Sequence, residues 1–310
     1  MFNIFLPVAN MSVNLFLILG IGGLVGFLSG LFGVGGGFLL TPLMMMIGIP
    51  PAVAAASDSC QIVAAGSSGA LAHKRMGNVD MKMGITILLG GIVGGTIGVQ
   101  AVKYLRELGN FEFAIKAVYV LMLGLVGGIM FLESLRTLRK SREGESSTEF
   151  SSTKFSQLFT RLPFQVHFKR AGIQTSILFP FFIGSSVGFL AALMGVGGGF
   201  IMVPTMIYII GMPTVVAIGT DLFQIVFTTA NVTLMQAMVN HTVDIELALI
   251  LLCGSTIGAQ FGARATKRLR GEQIRILLAL IVLTIMIKLL VDLLITPGNL
   301  IGLSKVGGGH

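Results

Sequence analysis

Two aspartates inside long apolar stretches are the residues of this sequence best suited to chemistry. Asp58 and Asp221 are each preceded by a hydroxyl-bearing residue and followed three positions later by a glutamine. The flanking residues are Ser57 and Gln61 in the first copy and Thr220 and Gln224 in the second. On a helix, this spacing brings the amide to the same face as the carboxyl group. The pattern therefore predicts two matched polar clusters within apolar segments.

An acid inside a membrane-spanning helix is costly and marks a functional position by default. Asp58 and Asp221 are therefore expected to accept a proton, to bind a cation or to orient a neighbouring turn, and we assign them as candidate ion-coupling residues. The alternative is an acid that lies near a helix start and is exposed to water, where the helix dipole stabilises it.

Two glycine-rich stretches are the second candidate for chemistry. The glycines are Gly33, Gly35, Gly36 and Gly37 in the first copy and Gly195, Gly197, Gly198 and Gly199 in the second. A glycine turn that opens into a helix presents free N–H groups and the positive end of the helix dipole, which favours an anion. The alternative is that the glycines only allow tight packing or a hinge. Two copies at matched positions favour the anion site.

The composition indicates a polytopic α-helical membrane protein. Hydrophobic residues make up 54% of the chain and charged residues 11%, with a mean hydropathy of +0.91, whereas about 25% charge is usual in soluble domains. Several apolar runs reach the length of about 20 residues that a spanning helix needs. The net charge of +8 lies in short segments between these runs, as in cytoplasmic loops, and does not indicate a nucleic-acid partner.

No catalytic or metal-binding motif stands out in the sequence. Cys60 and Cys253 lie in apolar runs without paired spacing, and no Ser/His/Asp, CxxC or HExxH arrangement is present. The sequence therefore predicts a non-enzyme that needs no cofactor and no metal.

Several motifs recur in the same order, which predicts two membrane repeats. Val79-Asp80 recurs as Val243-Asp244, and the stretch 94–100 recurs as 254–260. We expect a first repeat over residues 1–135, a basic, serine-rich cytoplasmic linker over 136–172 and a second repeat over 173–310. Each repeat holds five apolar elements, one of them short. The short elements are 38–49 and 200–212.

The Lys/Arg distribution predicts how the repeats are oriented. Lysine and arginine favour cytoplasmic loops. The Lys/Arg-rich loops of both repeats lie on the same side of the membrane as the linker when each repeat makes an odd number of crossings. The repeats are then inverted and both termini lie outside. If the short elements are re-entrant and each repeat crosses four times, the repeats are parallel instead.

The glycine and aspartate motifs together resemble the sulfite exporter TauE/SafE family. The resemblance lies at residues 33–42, 57–61, 195–204 and 219–224 and extends over nearly the whole chain except the linker. It implies a multi-pass transporter of small sulfur-containing anions, such as sulfite or a sulfonate, in a bacterial inner membrane.

The expected function is ion-coupled secondary transport of such an anion. The glycine turns would bind the negatively charged anion, because the central apolar runs contain no lysine or arginine. Gln61 and Gln224, with Ser57 and Thr220, would donate hydrogen bonds. The alternatives are a passive anion channel and a non-transporting membrane scaffold. The predicted partners are the anion, a coupling proton or cation, and the lipid bilayer.

Overall fold

The computed structural model describes residues 2–32, 36–143, 165–168, 170–265 and 271–294. The first half consists of β1 (Asn3–Leu6), β2 (Met11–Asn14), α1 (Leu15–Phe32), α2 (Gly37–Met46), α3 (Pro51–Arg75), α4 (Met81–Glu107) and α5 (Phe111–Glu143). The second half consists of β3 (Gln165–Phe168), β4 (Ile173–Ser176), α6 (Leu178–Met194), α7 (Gly199–Pro204), a π-helical turn (Thr205–Ile210), α8 (Thr214–Met235), a second π-helical turn (Gln236–Asn240), α9 (Ile245–Ala265) and α10 (Gly271–Leu294).

The chain is mostly helical, but the prediction of an all-α fold is wrong in one respect. Two antiparallel hairpins, β1–β2 and β3–β4, precede the first long helix of each half. Their four-residue strands are too short for an alternating pattern to reveal them. The first hairpin turns at Pro7–Asn10, where Asn10 has a φ of 51°.

The predicted linker overlaps ordered elements at both of its ends. Helix α5 continues to Glu143, so residues 136–143 of the predicted linker are helical. Strand β3 begins at Gln165, and residues 144–164 lie outside the described residues.

In each half, an aspartate caps the N-terminus of one long helix. The Met83 N–H donates to Asp80 Oδ1 at 3.2 Å at the start of α4, and the Leu247 N–H donates to Asp244 Oδ1 at 3.1 Å at the start of α9. An N-cap carboxylate satisfies one of the N–H groups that the first helical turn leaves without a partner.

The two short helices both contain a proline. Pro42 lies inside α2 and Pro204 ends α7. Proline cannot donate the backbone hydrogen bond of an α-helix. In the second half, the chain continues from Pro204 into the π-helical turn Thr205–Ile210. A π-helical turn is one of the usual ways in which a helix accommodates such an interruption.

Helices of the two halves pack in parallel pairs through small residues. Gly22 of α1 lies against Leu251 of α9, and Gly26 lies against Ser255, so α1 and α9 run in the same direction. Helices α4 and α6 are parallel for the same reason, because Gly90 faces Phe181 and Gly98 faces Phe189. Small residues allow this close approach of helices where lipid provides no hydrophobic drive for association.

The contacts between the halves also show at which end of the bundle the chain lies after the short helix α2. We call the side of the bundle at β1–β2 the first-hairpin end, and the side at β3–β4 the second-hairpin end. Ser57, near the start of α3, accepts a hydrogen bond from the Asp244 N–H at the start of α9. Because α9 begins beside the start of α1, α3 and α1 both begin at the first-hairpin end. Helices α1 and α2 together therefore return the chain to the end from which it started.

Among the described residues, five helical segments are long and apolar enough to span a membrane. These segments are Met81–Glu107, Phe111–Gly128, Thr214–Asn240, Ile245–Gly262 and Ile276–Leu294. Large apolar side chains on them are exposed, such as Leu121, Leu125, Leu280 and Ile287. An outward apolar surface on spanning helices is what a lipid environment requires.

Candidate functional site

The starts of the two short helices that follow the glycine stretches meet inside the bundle. The Phe38 and Phe200 rings, each one residue into a short helix, stack with their centroids 5.4 Å apart. Gly37 lies against the second turn, since a Cβ on this residue would be 3.2 Å from the Val196 carbonyl oxygen. The starts of α2 and α7 are therefore neighbours, although they lie in different halves of the chain.

The second turn needs glycine for both its backbone conformation and its packing. Gly195, Gly197 and Gly198 have φ angles of 75°, 70° and 83°, a region that other residues rarely adopt. A Cβ on Gly195 would also overlap the backbone of Ala55 in α3. Gly198 is the N-cap of α7, and Gly199 is its first residue.

The first turn is described only at its helical side. Gly33 and Gly35 lie outside the described residues. Gly36 is the N-cap of α2 and Gly37 is its first residue. A Cβ on Gly37 would be 3.3 Å from Asp58 Oδ2, so this glycine gives the carboxyl group close access to the start of α2.

Asp58 is fully buried and only partly satisfied by hydrogen bonds. Thr41 Oγ1 in α2 donates to Asp58 Oδ2 at 2.8 Å. Asp58 Oδ1 is buried and has no hydrogen-bond partner among the described residues. Buried polar atoms without partners are uncommon, because they lose hydration without compensation.

Tyr119 connects this cluster to the second half. Its side chain is fully buried, interacts with Thr41, and donates a hydrogen bond from its hydroxyl to the Met194 carbonyl. Met194 directly precedes the second glycine turn. Asp58, Thr41 and Tyr119 thus form a line of polar groups from one glycine turn to the other.

The Asp221 cluster has a different arrangement from the Asp58 cluster. Gln224 Nε2 donates to Asp221 Oδ1 at 2.8 Å, and Thr228 Oγ1 donates to Gln224 Oε1 at 2.9 Å. The predicted pairing of acid and glutamine on one helix face is therefore observed in the second half.

In the first half, the glutamine turns away from the acid. Gln61 Nε2 donates to Ser255 Oγ on α9 at 2.7 Å instead of to Asp58. At the matched position of α4 the residue is Gly95, which offers no side-chain acceptor to Gln224. One serine-to-glycine difference thus accounts for the two orientations of the amide.

Ser57 and Thr220 hold the junctions between helices of the two halves. The Asp244 N–H donates to Ser57 Oγ at 3.1 Å, and the Asp80 N–H donates to Thr220 Oγ1 at 3.0 Å. Both oxygens therefore act as acceptors for protein backbone, whereas the sequence predicts them as donors to an anion. Their own hydrogens are still available for donation.

Sequence reasoning does not identify two kinds of residue around the candidate site. Thr41 and Tyr119 were not selected, because they approach Asp58 only in the folded protein. The recurring Val-Asp pairs were recognised as a repeat signal, but not as the caps formed by Asp80 and Asp244. An aspartate immediately before an apolar helix is a usable signal for such a cap.

A metal centre has no structural support in the described part of the chain. Within those residues, no group of three or more His, Cys, Asp or Glu side chains is arranged to hold a metal ion.

The spanning helices, the buried carboxyl groups and the paired short helices define a polytopic helical membrane protein. The chain belongs to the family described as Sulfite exporter TauE/SafE, which it matches over residues 18–289. The family and the names of its relatives indicate a membrane transporter of the TauE/SafE type.

Two bacterial relatives match over most of their length. The probable membrane transporter protein YunE of Bacillus subtilis is 26% identical over 89% of this chain and 96% of its own length. YjnA of the same organism, also called a probable membrane transporter protein, is 28% identical over 90% and 100%. Sulfite exporter TauE/SafE family protein 1 of Arabidopsis thaliana is 33% identical, but over 32% of this chain and 22% of its own. The comparison with solved structures found no significant match.

Proposed function

We propose that this protein is an ion-coupled secondary transporter of a small sulfur-containing anion, such as sulfite or a sulfonate, and that the anion binds between the two glycine turns. Family membership supports the class of substrate. The site is supported by the meeting of two helix starts, which are attractive to anions through their free N–H groups and dipoles. Broken helices that meet near the midplane are a common construction of transporter sites.

The unpartnered oxygen of Asp58 is the observation that carries the proposal. A fully buried carboxyl group beside the start of α2 repels an anion unless a proton or a cation neutralises it. Asp58 Oδ1 has no hydrogen-bond partner among the described residues, so it is open to either. Binding of the anion and of the coupling ion would then favour each other, which is the basis of coupled transport.

The second half contributes the second glycine turn and Asp221, an acid that accepts a side-chain hydrogen bond. Asp221 is buried, and one of its oxygens is bound to Gln224. We assign Gln224 and Gln61 as donors to the anion after a change of rotamer, and Ser57 and Thr220 as hydroxyl donors. We retain Asp221 as the second candidate for ion coupling.

We further propose that the two halves are inverted repeats. Helix α4 starts at the second-hairpin end, where the Asp80 N–H meets Thr220 near the start of α8, and α6 is parallel to α4. Helix α1 starts at the opposite end, so the matched helices α1 and α6 run in opposite directions.

Re-entrant short helices are compatible with this inversion. Helices α1 and α2 form one excursion that returns to the first-hairpin end, and α3, α4 and α5 each cross once. The number of crossings is odd whether the excursion is counted as two crossings or as none. Under this proposal, a re-entrant short helix does not require parallel repeats.

The charge distribution supports a cytoplasmic position for the second-hairpin end. Lys74, Arg75 and Lys82 lie there, and the Lys/Arg-rich segment 264–275 and the linker 136–172 connect helices at the same end. The positive-inside rule then puts both termini outside a bacterial inner membrane.

The binding site is tested by Gly37→Ala in proteoliposomes with uptake of sulfite, taurine and sulfoacetate. The added methyl would approach the Ile62 side chain at 2.7 Å, the Val196 carbonyl at 3.2 Å and the Asp58 carboxyl at 3.3 Å, so it fills the space assigned to the anion. Gly20→Ala is the matched control, because no atom lies within 4 Å of its Cβ position. We expect saturable uptake that Gly37→Ala strongly reduces and Gly20→Ala preserves. Equal uptake by folded samples of both variants would refute the site.

Ion coupling is tested by Asp58→Asn and Asp221→Asn, with and without an imposed pH gradient. We expect Asp58→Asn to remove the dependence of flux on the gradient. If the flux of the parent protein depends neither on a proton gradient nor on a cation gradient, the passive-channel alternative is favoured. If the folded parent transports none of the anions, the scaffold alternative gains support, and deletion of residues 144–164 becomes its test.

A further inference from the structure

A cavity outside the central site opens to solvent at the second-hairpin end. Its volume is about 360 Å³, within the range of about 300–1,000 Å³ that is typical of small-molecule sites. It lies between the α3–α4 corner and the turn of the β3–β4 hairpin. The lining residues are Lys74, Val79, Asp80, Met81, Lys82 and Arg170.

Three cationic side chains line the cavity, and none of them forms an ion pair with a carboxylate among the described residues. Lys74, Lys82 and Arg170 line it, and all three are exposed. The one ion pair among the described residues joins Lys116 to Glu112, which are elsewhere in the fold. The lining therefore has a local excess of positive charge.

The one acid in the lining is already satisfied by backbone groups. Asp80 Oδ1 accepts from the Met83 N–H, and Oδ2 accepts from the N–H groups of Arg170 and Ala171 at 3.0 and 3.1 Å. Its lone pairs are thus engaged by the start of α4 and by the hairpin turn, and the cationic groups keep their donors for a ligand.

The Arg170 guanidinium lies beside the backbone of Gly77 at the cavity. A Cβ on Gly77 would be 2.5 Å from Arg170 Nη1, and Gly77 has a φ of 75°. A residue with a side chain at this position would displace the guanidinium. The Arg170 backbone is fixed by its hydrogen bond to Asp80, so the root of the side chain is positioned at the cavity.

The opposite end of the bundle has an acid at the matched position. Lys82 follows the capping Asp80 by two residues, whereas Glu246 follows the capping Asp244 by two residues. The hairpin residue that donates to Asp244 is Val8, which has no charge. The cationic lining is therefore a feature of the second-hairpin end and not a consequence of the helix caps.

We propose that this cavity binds a small oxyanion, at a site separate from the one between the glycine turns. Arg170 supplies planar paired donors, and Lys74 and Lys82 supply point charges, which together suit a sulfite, sulfonate or phosphate group. The oxyanion is either dissolved in the adjoining water or part of a lipid headgroup at the membrane surface. The site depends neither on the central turns nor on transport.

The test is calorimetric titration of sulfite and of inorganic phosphate into the full-length protein in a neutral detergent. The variants are Lys74→Gln, Lys82→Gln and Arg170→Gln, singly and combined, in a Gly37→Ala background that closes the central site. Arg75→Gln is the matched control, because it removes one charge next to Lys74 without lining the cavity.

We expect each lining substitution to weaken binding by about tenfold, the effect of losing one charge-assisted hydrogen bond. The triple variant should abolish measurable binding, and Arg75→Gln should change the dissociation constant less than about twofold. Lys82→Glu, which copies the charge at the opposite end, should weaken binding more than Lys82→Gln. Equal dissociation constants for the triple variant and Arg75→Gln would overturn the proposal.

Vesicles separate the two sources of the oxyanion. Sulfite binding is compared in phosphatidylcholine vesicles and in vesicles that also contain phosphatidylglycerol. Weaker sulfite binding by the Gly37→Ala protein in the vesicles with phosphatidylglycerol identifies a headgroup as the occupant, whereas an unchanged affinity identifies the dissolved anion. An equal loss of sulfite affinity in the triple variant and in Arg75→Gln would show only a general surface-charge effect and would also overturn the proposal. Because binding is measured without flux, this result is independent of whether the protein transports sulfur anions.

Discussion

Replacement of Thr41 by valine isolates the hydrogen bond that holds Asp58. Thr41 and Asp58 are both fully buried, and the 2.8 Å bond between them is the one side-chain hydrogen bond that the carboxyl group makes among the described residues. Valine has nearly the shape of threonine, and the second half has Val203 before Pro204 where the first has Thr41 before Pro42. The substitution should therefore remove the donor without disturbing the helix.

The expected loss follows from the chemistry of the pair. A hydrogen bond to a charged group contributes about 1.5–3 kcal/mol, and an acceptor left unsatisfied in the interior costs about 1–3 kcal/mol. Because Asp58 Oδ1 already has no partner among the described residues, Thr41→Val leaves the carboxyl group without a side-chain donor. We expect the free energy of unfolding to fall by about 1.5–3 kcal/mol.

A double-mutant cycle with Asp58→Ala separates this bond from other effects of the substitutions. The assay is unfolding by SDS titration from mixed micelles, followed by circular dichroism. Thr284→Val is the control, because the Thr284 hydroxyl is exposed and binds only the carbonyl of its own helix; it should change stability by less than about 0.5 kcal/mol. If Thr41→Val costs as much in the Asp58→Ala background as in the parent protein, the two residues are not coupled and the reasoning is refuted.

Three further predictions concern the junctions around the site. Tyr119→Phe leaves the buried Met194 carbonyl without its donor and should lower the free energy of unfolding by about 1–3 kcal/mol; an unchanged SDS midpoint would contradict this. Gly26→Ala should prevent recovery of monodisperse protein by size exclusion, because its methyl overlaps the α9 backbone, whereas Gly20→Ala should be recovered normally. Asp244→Ala removes both the cap of α9 and the acceptor of a hairpin N–H, and should cost about 1–3 kcal/mol in the same SDS assay; wild-type stability would exclude this role.

The helical segments were largely predictable because lipid imposes a simple rule on sequence. A spanning helix needs a long apolar run, and such runs in this chain lie where α4, α5, α8, α9 and α10 span. The hairpins were not predictable, because four-residue strands give no reliable periodicity. The end of α5 at Glu143 was not predictable for a related reason, since residues 136–143 have the charged composition of a linker.

The groups available for the site can be identified from the amino-acid sequence alone. Glycines at positions 195, 197 and 198 permit the left-handed backbone of the second turn, and two acids lie in apolar runs at matched positions. Those properties belong to residue types and local spacing, so they can be read along the chain.

The partners of those groups, in contrast, depend on how the helices pack in the folded protein. Thr41 and Tyr119 reach Asp58 from different helices, Gln61 turns to Ser255 rather than to its neighbouring acid, and Ser57 holds the start of α9. Each of these outcomes depends on which helix of one half packs against which helix of the other. Local sequence does not specify that pairing, because the hydrogen-bond partners of a buried polar group are set by contacts between residues that are distant in the chain.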